Sequence, residues 1–315
     1  MKKTLIITGL SLVSGVVAVL LVFSAARPQS DEKTYQQARQ NRMHAFAVDI
    51  PTEADFAGET VPLDLYWVHE ALDRELLTNV YWHSSTLLML KRANRYFPVI
   101  EPLLRANGIP DDFKYLALAE SAFTHTVSPA GASGYWQFMK ETAKKHGLEV
   151  TEEVDERYHL GKATFAACAY LKEAYARFGS WTLAAAAYNA GPENIAKPMG
   201  IQKGTTFYEL LLNQETSRYI FRVLAMKEIH KQPERYGFHL RPTDLYPLIP
   251  TTGLRIDSSI SDLAAFAKTR GLNYKLLKEF NPWLRKNTLS LKAHKTYTLD
   301  LPDPQQLYYS RLFSE

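Results

Sequence analysis

From Leu63 to about Lys231 apolar positions recur at helical spacing, and this pattern predicts seven helices, over 65–79, 82–106, 110–123, 135–146, 159–178, 180–189 and 214–231. Pro110-Asp111-Asp112 puts proline and acids into a first turn, while Gly147 and Gly179 follow two helices as C-terminal caps. Strand-like alternation begins only after residue 245. Tyr246-Pro-Leu-Ile-Pro and Lys295-Thr-Tyr-Thr-Leu-Asp-Leu-Pro read as two short strands. Between them lie two short helical patterns, SISDLAAFAKTR closed by Gly271 and YKLLKEF closed by Asn281-Pro282. The fold class is therefore mainly α: a helical lobe over 65–236, followed by a small α+β module of β-α-α-β order over 242–304.

The ends have a different texture. Lys2 and Lys3 precede an uncharged run from Thr4 to Ala26. As a helix this run spans roughly 34 Å, enough for a hydrocarbon core of ~30 Å. Residues 1–26 read as an uncleaved membrane anchor or as a signal segment cut after Ser24-Ala25-Ala26. Both readings export everything after Arg27, because the lysines stay on the cytoplasmic side. Residues 27–64 are polar and weakly patterned, and are expected to form a linker or extended arm.

Composition changes the picture only by exclusion. The chain has 315 residues, 46% hydrophobic and 22% charged, which excludes disorder, collagen and coiled coil. A net charge of +4 is too thin for a nucleic-acid face. The single cysteine, Cys168, rules out an intramolecular disulfide and a cysteine-based zinc cluster. No GxSxG, HExxH or P-loop pattern occurs.

Candidate chemistry gathers in four patches. In DDFKYLALAESAF, Phe113, Leu116 and Glu120 fall on one helical stripe, with no cationic residue among the immediate neighbours of Glu120. A carboxylate desolvated in this way rises above its reference pKa and becomes a general acid near neutrality; the alternative is a carboxylate bonded to a neighbouring loop. In VSPAGASGYWQF, Pro129, Gly131 and Gly134 permit a tight turn. Trp136 and Gln137 then offer a stacking face and an amide, unless Trp136 is core filler. SWTLAAAAYNAGP ends a close-packing alanine helix with Tyr188 and Asn189, which line a cleft or simply cap the helix. Tyr219 lies on the amphipathic ETSRYIFRVLAMKEI, a site or a core position. Asp155 and Glu156 are the nearest candidates for a second acid, but their setting reads as the first turn of a helix.

In this order, Ala119-Glu120-Ser121, SPAGASGYWQF, AAYNAGP and ETSRYI resemble the SLT domain of bacterial lytic transglycosylases, with likeness to the membrane-bound transglycosylase D group. That domain shares its fold with goose-type lysozyme. The resemblance implies Glu120 as the single catalytic acid and base. It would act on the bond between N-acetylmuramic acid and N-acetylglucosamine and leave a 1,6-anhydromuramyl end. Ser121, Trp136, Gln137, Tyr188, Asn189 and Tyr219 then stand where the cleft binds substrate. Tyr135-Trp136 departs from the smaller aliphatics of many members. The 276–282 stretch LLKEFNP resembles the second helix and turn of a LysM module, a binder of N-acetylglucosamine-containing glycans. The resemblance implies peptidoglycan strands as partner, no metal or organic cofactor, and a place on the periplasmic side of the cell envelope. Two other readings stay open: a hydrolytic muramidase using Asp155 or another acid, and a non-catalytic glycan-binding protein.

Overall fold

The computed structural model describes residues 46–292, 294–309 and 312. The anchor or signal expected over 1–26 and the first part of the arm lie outside the described residues. Among the described residues no helix is long and apolar enough to cross a membrane.

The chain enters through a two-residue-stranded hairpin, β1 (Asp55–Phe56) and β2 (Glu59–Thr60), and then α1 (Tyr66–Tyr81). The arm expected over 27–64 is thus seated on the body in its last part. Phe56 and Val61 are buried, and the Phe56 ring meets Phe113 edge-on. Two apolar side chains among polar ones suffice to dock a short hairpin, a signal too sparse for periodicity to register.

Helix α2 (His83–Ala106) runs 24 residues, with Leu90, Ala93, Phe97, Ile100 and Leu104 on its buried stripe. Then come α3 (Phe113–Ser121), α4 (Lys140–Lys145), α5 (Leu160–Phe178), α6 (Trp181–Ala190), α7 (Glu193–Gln202) and α8 (Gln214–Lys231). In α8 every residue from Tyr219 to Ile229 except Arg222 is buried, as befits a central helix that touches α1, α3 and α6. The alanine run of α6 is buried throughout Ala184–Ala187 and lets α5 and α8 approach closely.

Two differences from the periodicity stand out. The helix expected over 135–146 shrinks to 140–145. Residues 133–138 instead form a tight turn, in which Ser133 and Phe138 exchange both backbone hydrogen bonds at 3.1 Å. Gly134 (φ 80) and Gln137 (φ 48) occupy left-handed backbone, which a helix cannot contain. Conversely, α7 was not expected, because it carries Pro198 and buries only Ile195.

The last part of the chain has the expected β-α-α-β order. β3 (Thr251–Ile256) pairs antiparallel with β4 (Tyr297–Pro302), flanking α9 (Leu263–Thr269) and α10 (Tyr274–Phe280). The first strand starts after Pro250, not at Tyr246, since Pro247 and Pro250 cannot donate to a ladder. Residues 246–247 lie along α2 instead, where Asn94 and Arg95 donate to their carbonyls. Val154 and Tyr158 of the helical lobe join Leu263, Leu277, Trp283 and Leu299 in one core cluster. The two parts are further tied by Asp155 N–H to Trp283 O at 2.9 Å and Arg285 N–H to Glu153 O at 2.8 Å. Beyond the helical lobe, Arg241 pairs with Asp244 at 3.0 Å.

Candidate active site

Glu120 sits in the last turn of α3, half-buried, just before the helix is stopped by left-handed Ala122 (φ 47) and Phe123 (φ 53). Its Oε1 accepts a hydrogen bond from the Tyr219 hydroxyl at 2.5 Å, across from α8. Among the described residues it makes no ion pair. Burial pushes its pKa up to about 7, while the Tyr219 hydrogen bond and the positive charge of Arg222 pull down and Glu215 pushes up. Arg222, three residues beyond Tyr219 on α8, was not singled out from the sequence; its i+3 spacing was the available signal.

Tyr188, at the end of α6, completes the cluster. Its hydroxyl donates to Trp136 O at 2.7 Å, and burial together with the Glu120 charge holds it well above the usual phenol range. The structure thus gathers Glu120, Tyr188 and Tyr219 from three helices far apart in sequence.

Other expected residues have different duties. Trp136 is fully buried and donates from Nε1 to Thr164 Oγ1 at 3.0 Å, so no sugar ring can stack on it; a residue expected to bind substrate is core. Ser121 is also buried. Its hydroxyl donates to Tyr135 O at 2.8 Å and accepts from Phe123 N–H at 3.0 Å, so it ties the end of α3 to the 133–138 turn rather than touching a ligand. The Gln137 amide nitrogen donates to Gly134 O and Thr126 O, and its oxygen has no hydrogen bond among the described residues. Asn189 is half-buried, with no side-chain hydrogen bond among the described residues.

The turn itself is clamped from behind. A Cβ at Gly134 would meet Arg157 O at 1.9 Å, so only glycine fits. The Arg157 guanidinium donates to Gly131 O and Phe138 O and pairs with Asp155 at 2.7 Å. Asp155, a candidate second acid, is therefore buried in an ion pair. Glu156 accepts from Glu149 N–H and pairs with Lys162. Neither carboxylate is free to activate water.

A half-buried carboxyl whose pKa is pushed up to about 7, with the Tyr219 phenol donating to it, can serve as a general acid near neutral pH. Residues 98–211 match the Transglycosylase SLT domain, and residues 252–305 match the soluble lytic transglycosylase C-terminal LysM-like domain. The chain is 32% identical over 228 residues to the membrane-bound lytic murein transglycosylase D of Escherichia coli strain K12, and equally to that of strain O6:H1. The alignment covers 70% of this chain and 49% of each relative, so the chain spans about half the length of the curated relatives it matches. Among solved structures, the 70 kDa soluble lytic transglycosylase of Escherichia coli is similar at 18% identity, over 72% of this chain and 47% of that one, with a TM-score of 0.41. The lytic transglycosylase Slt of Pseudomonas aeruginosa is similar at 24% identity, over 48% and 26%, with a TM-score of 0.37.

Proposed function

We propose that this protein is a peptidoglycan lytic transglycosylase in which Glu120 serves as both general acid and general base. The protonated carboxyl gives its proton to the oxygen between N-acetylmuramic acid and N-acetylglucosamine as the C1–O bond breaks. The resulting carboxylate then takes the proton of the muramyl 6-hydroxyl, whose oxygen bonds to C1. A 1,6-anhydro ring closes, no water is added, and Glu120 ends as it began. Tyr219 orients the carboxyl and steadies its anionic form between the two transfers. Asn189 and the Gln137 oxygen are the polar groups left to hold substrate.

The carrying observation is the half-buried Glu120 carboxyl hydrogen-bonded to Tyr219, its pKa pushed up to about 7, with Asp155 locked to Arg157. This favours a one-carboxylate route over a muramidase needing a second acid. The relatives' name, membrane-bound lytic murein transglycosylase, supports the substrate and a place in the cell envelope. Mass spectrometry of digested sacculi tests the reading. Anhydromuramyl products are expected; products one water heavier would overturn it in favour of hydrolysis. Intact sacculi would overturn it in favour of a glycan-binding role.

A further inference from the structure

A cavity of about 360 Å³ lies where α2 and the 158–161 segment face the C-terminal module, apart from Glu120. Tyr96, Tyr158, Phe280 and Trp283 supply aromatic walls. Three charged side chains border it: Arg95 on α2, Glu279 on α10 and Asp300 on β4. The Asp300 backbone is fixed on both sides by the Asn281 amide, which accepts from its N–H and donates to its carbonyl, each at 2.8 Å. Its carboxylate, by contrast, has no hydrogen bond or ion pair among the described residues, although the residue is half-buried. Burial raises its pKa, and no neighbouring cation offsets this. Glu279 is exposed and likewise without a partner among the described residues. Arg95 uses Nε to hold Pro247 O at 3.0 Å. The indole nitrogen of Trp283 is buried without a hydrogen-bond partner among the described residues.

An aromatic-walled recess with partnerless carboxylates and a guanidinium is built for a ligand that is itself charged at two points. The half-buried Asp300 carboxylate beside apolar walls, with Glu279 at the exposed rim, favours an ammonium, through charge-assisted hydrogen bonds and the ring faces. The guanidinium suits a carboxylate. The volume accommodates one or two amino-acid residues. We propose that this cavity binds a short peptide carrying both a side-chain ammonium and a free carboxylate, namely the peptide stem of the glycan strand being cut. The assignment of the peptide to the cell wall rests on the function proposed above; the charge chemistry of the cavity does not.

The probe is the dipeptide N-acetyl-alanyl-lysine, titrated calorimetrically into the full chain, together with its Nε-acetylated form. Binding of the free amine is expected, weakened about tenfold or more by Nε-acetylation and by Asp300→Asn. An oligomer of N-acetylglucosamine is expected not to compete. On sacculi, Asp300→Asn should slow cleavage of peptide-bearing strands and leave peptide-stripped strands unaffected. The proposal is overturned by no binding of the dipeptide at millimolar concentration, by equal affinity for the acetylated form, by competition from the sugar, or by equal slowing on both kinds of strand. Glu120→Gln should bind the dipeptide as the parent does, so a failure of the cleavage chemistry is read separately from a failure of this site.

Discussion

The Tyr219 hydroxyl stands 2.5 Å from Glu120 Oε1, although the two residues are ninety-nine positions apart in the chain. This contact joins the end of a short helix to the middle of the central one. It sets both the aim of the carboxyl and the balance between its two protonation states. A phenol that donates to a carboxylate favours the charged form, and burial opposes it; burial wins, leaving the group near 7.

Replacing Glu120 with Gln should lower turnover by about 10²–10⁴-fold, the usual worth of a positioned acid and base. On the proposed function, the parent chain should lose activity as pH rises through about 7, where the acid form disappears. The stability consequence has the same direction. The folded pKa lies above the unfolded value of 4.5, so the parent's advantage is full below 4.5 and is lost as pH rises through about 7. Unfolding midpoints of parent and Glu120→Gln, compared from pH 4 to 9, should therefore shift in favour of the variant by roughly 2–3 kcal/mol towards the alkaline end.

Tyr219→Phe removes a donor to the charged form, so the Glu120 pKa should climb further and the alkaline limb of activity move to higher pH. Loss of aim should also cut turnover by roughly ten- to a hundredfold. A pH–rate profile separates the two effects. An alkaline limb that stays in place would mean that the phenol does not influence the proton.

Gly134→Ala drives a methyl into Arg157 O in a backbone conformation that side chains avoid. The expected cost is roughly 3 kcal/mol or more. Thermal unfolding should show it, or soluble protein should be lost. Gly147→Ala, also at positive φ but with nothing within 4 Å, should cost less and serves as the control.

Glu59 reaches from the hairpin to the start of α6, accepting from Ser180 Oγ, Trp181 N, Thr182 N and Thr182 Oγ1 at 2.5–3.0 Å. Burial acts to raise its pKa, and the hydrogen bonds from Thr182, Ser180 and Trp181 outweigh it. Glu59→Ala should cost roughly 2–3 kcal/mol in urea unfolding at neutral pH. A lowered pKa means that this contribution is present above 4.5 and lost as pH falls through the folded value. The gap between parent and variant should therefore close in acid.

The positions of α2, α5, α9 and α10 were legible because each buries one stripe against a partner, and a stripe is a property of spacing; α8, read from the sequence as amphipathic, is instead buried nearly all round from Tyr219 to Ile229. Spacing put Glu120 on one stripe with Phe113 and Leu116; in α3 the whole Phe113–Leu118 segment is buried and Glu120 lies half-buried beyond it. The place of Trp136 was not legible. Its sequence neighbours allow a helical stacking face or a core position, and only left-handed Gly134 and Gln137, turning the chain back on itself, send the ring into the interior.

Sequence alone determined much of the local order of this protein: most of the segments that wind into helices, several of the glycines that stop them, and a Glu120 with no cation among its chain neighbours. Tertiary structure decided what long-range contacts alone can decide. It brought Tyr219 to Glu120, removed Asp155 into an ion pair with Arg157, seated the 55–60 hairpin on α6, and opened a cavity between α2 and the last strand. The physical reason is that spacing governs which face a residue shares with near neighbours. A proton's affinity depends on which charges, donors and apolar surfaces arrive from elsewhere in the chain.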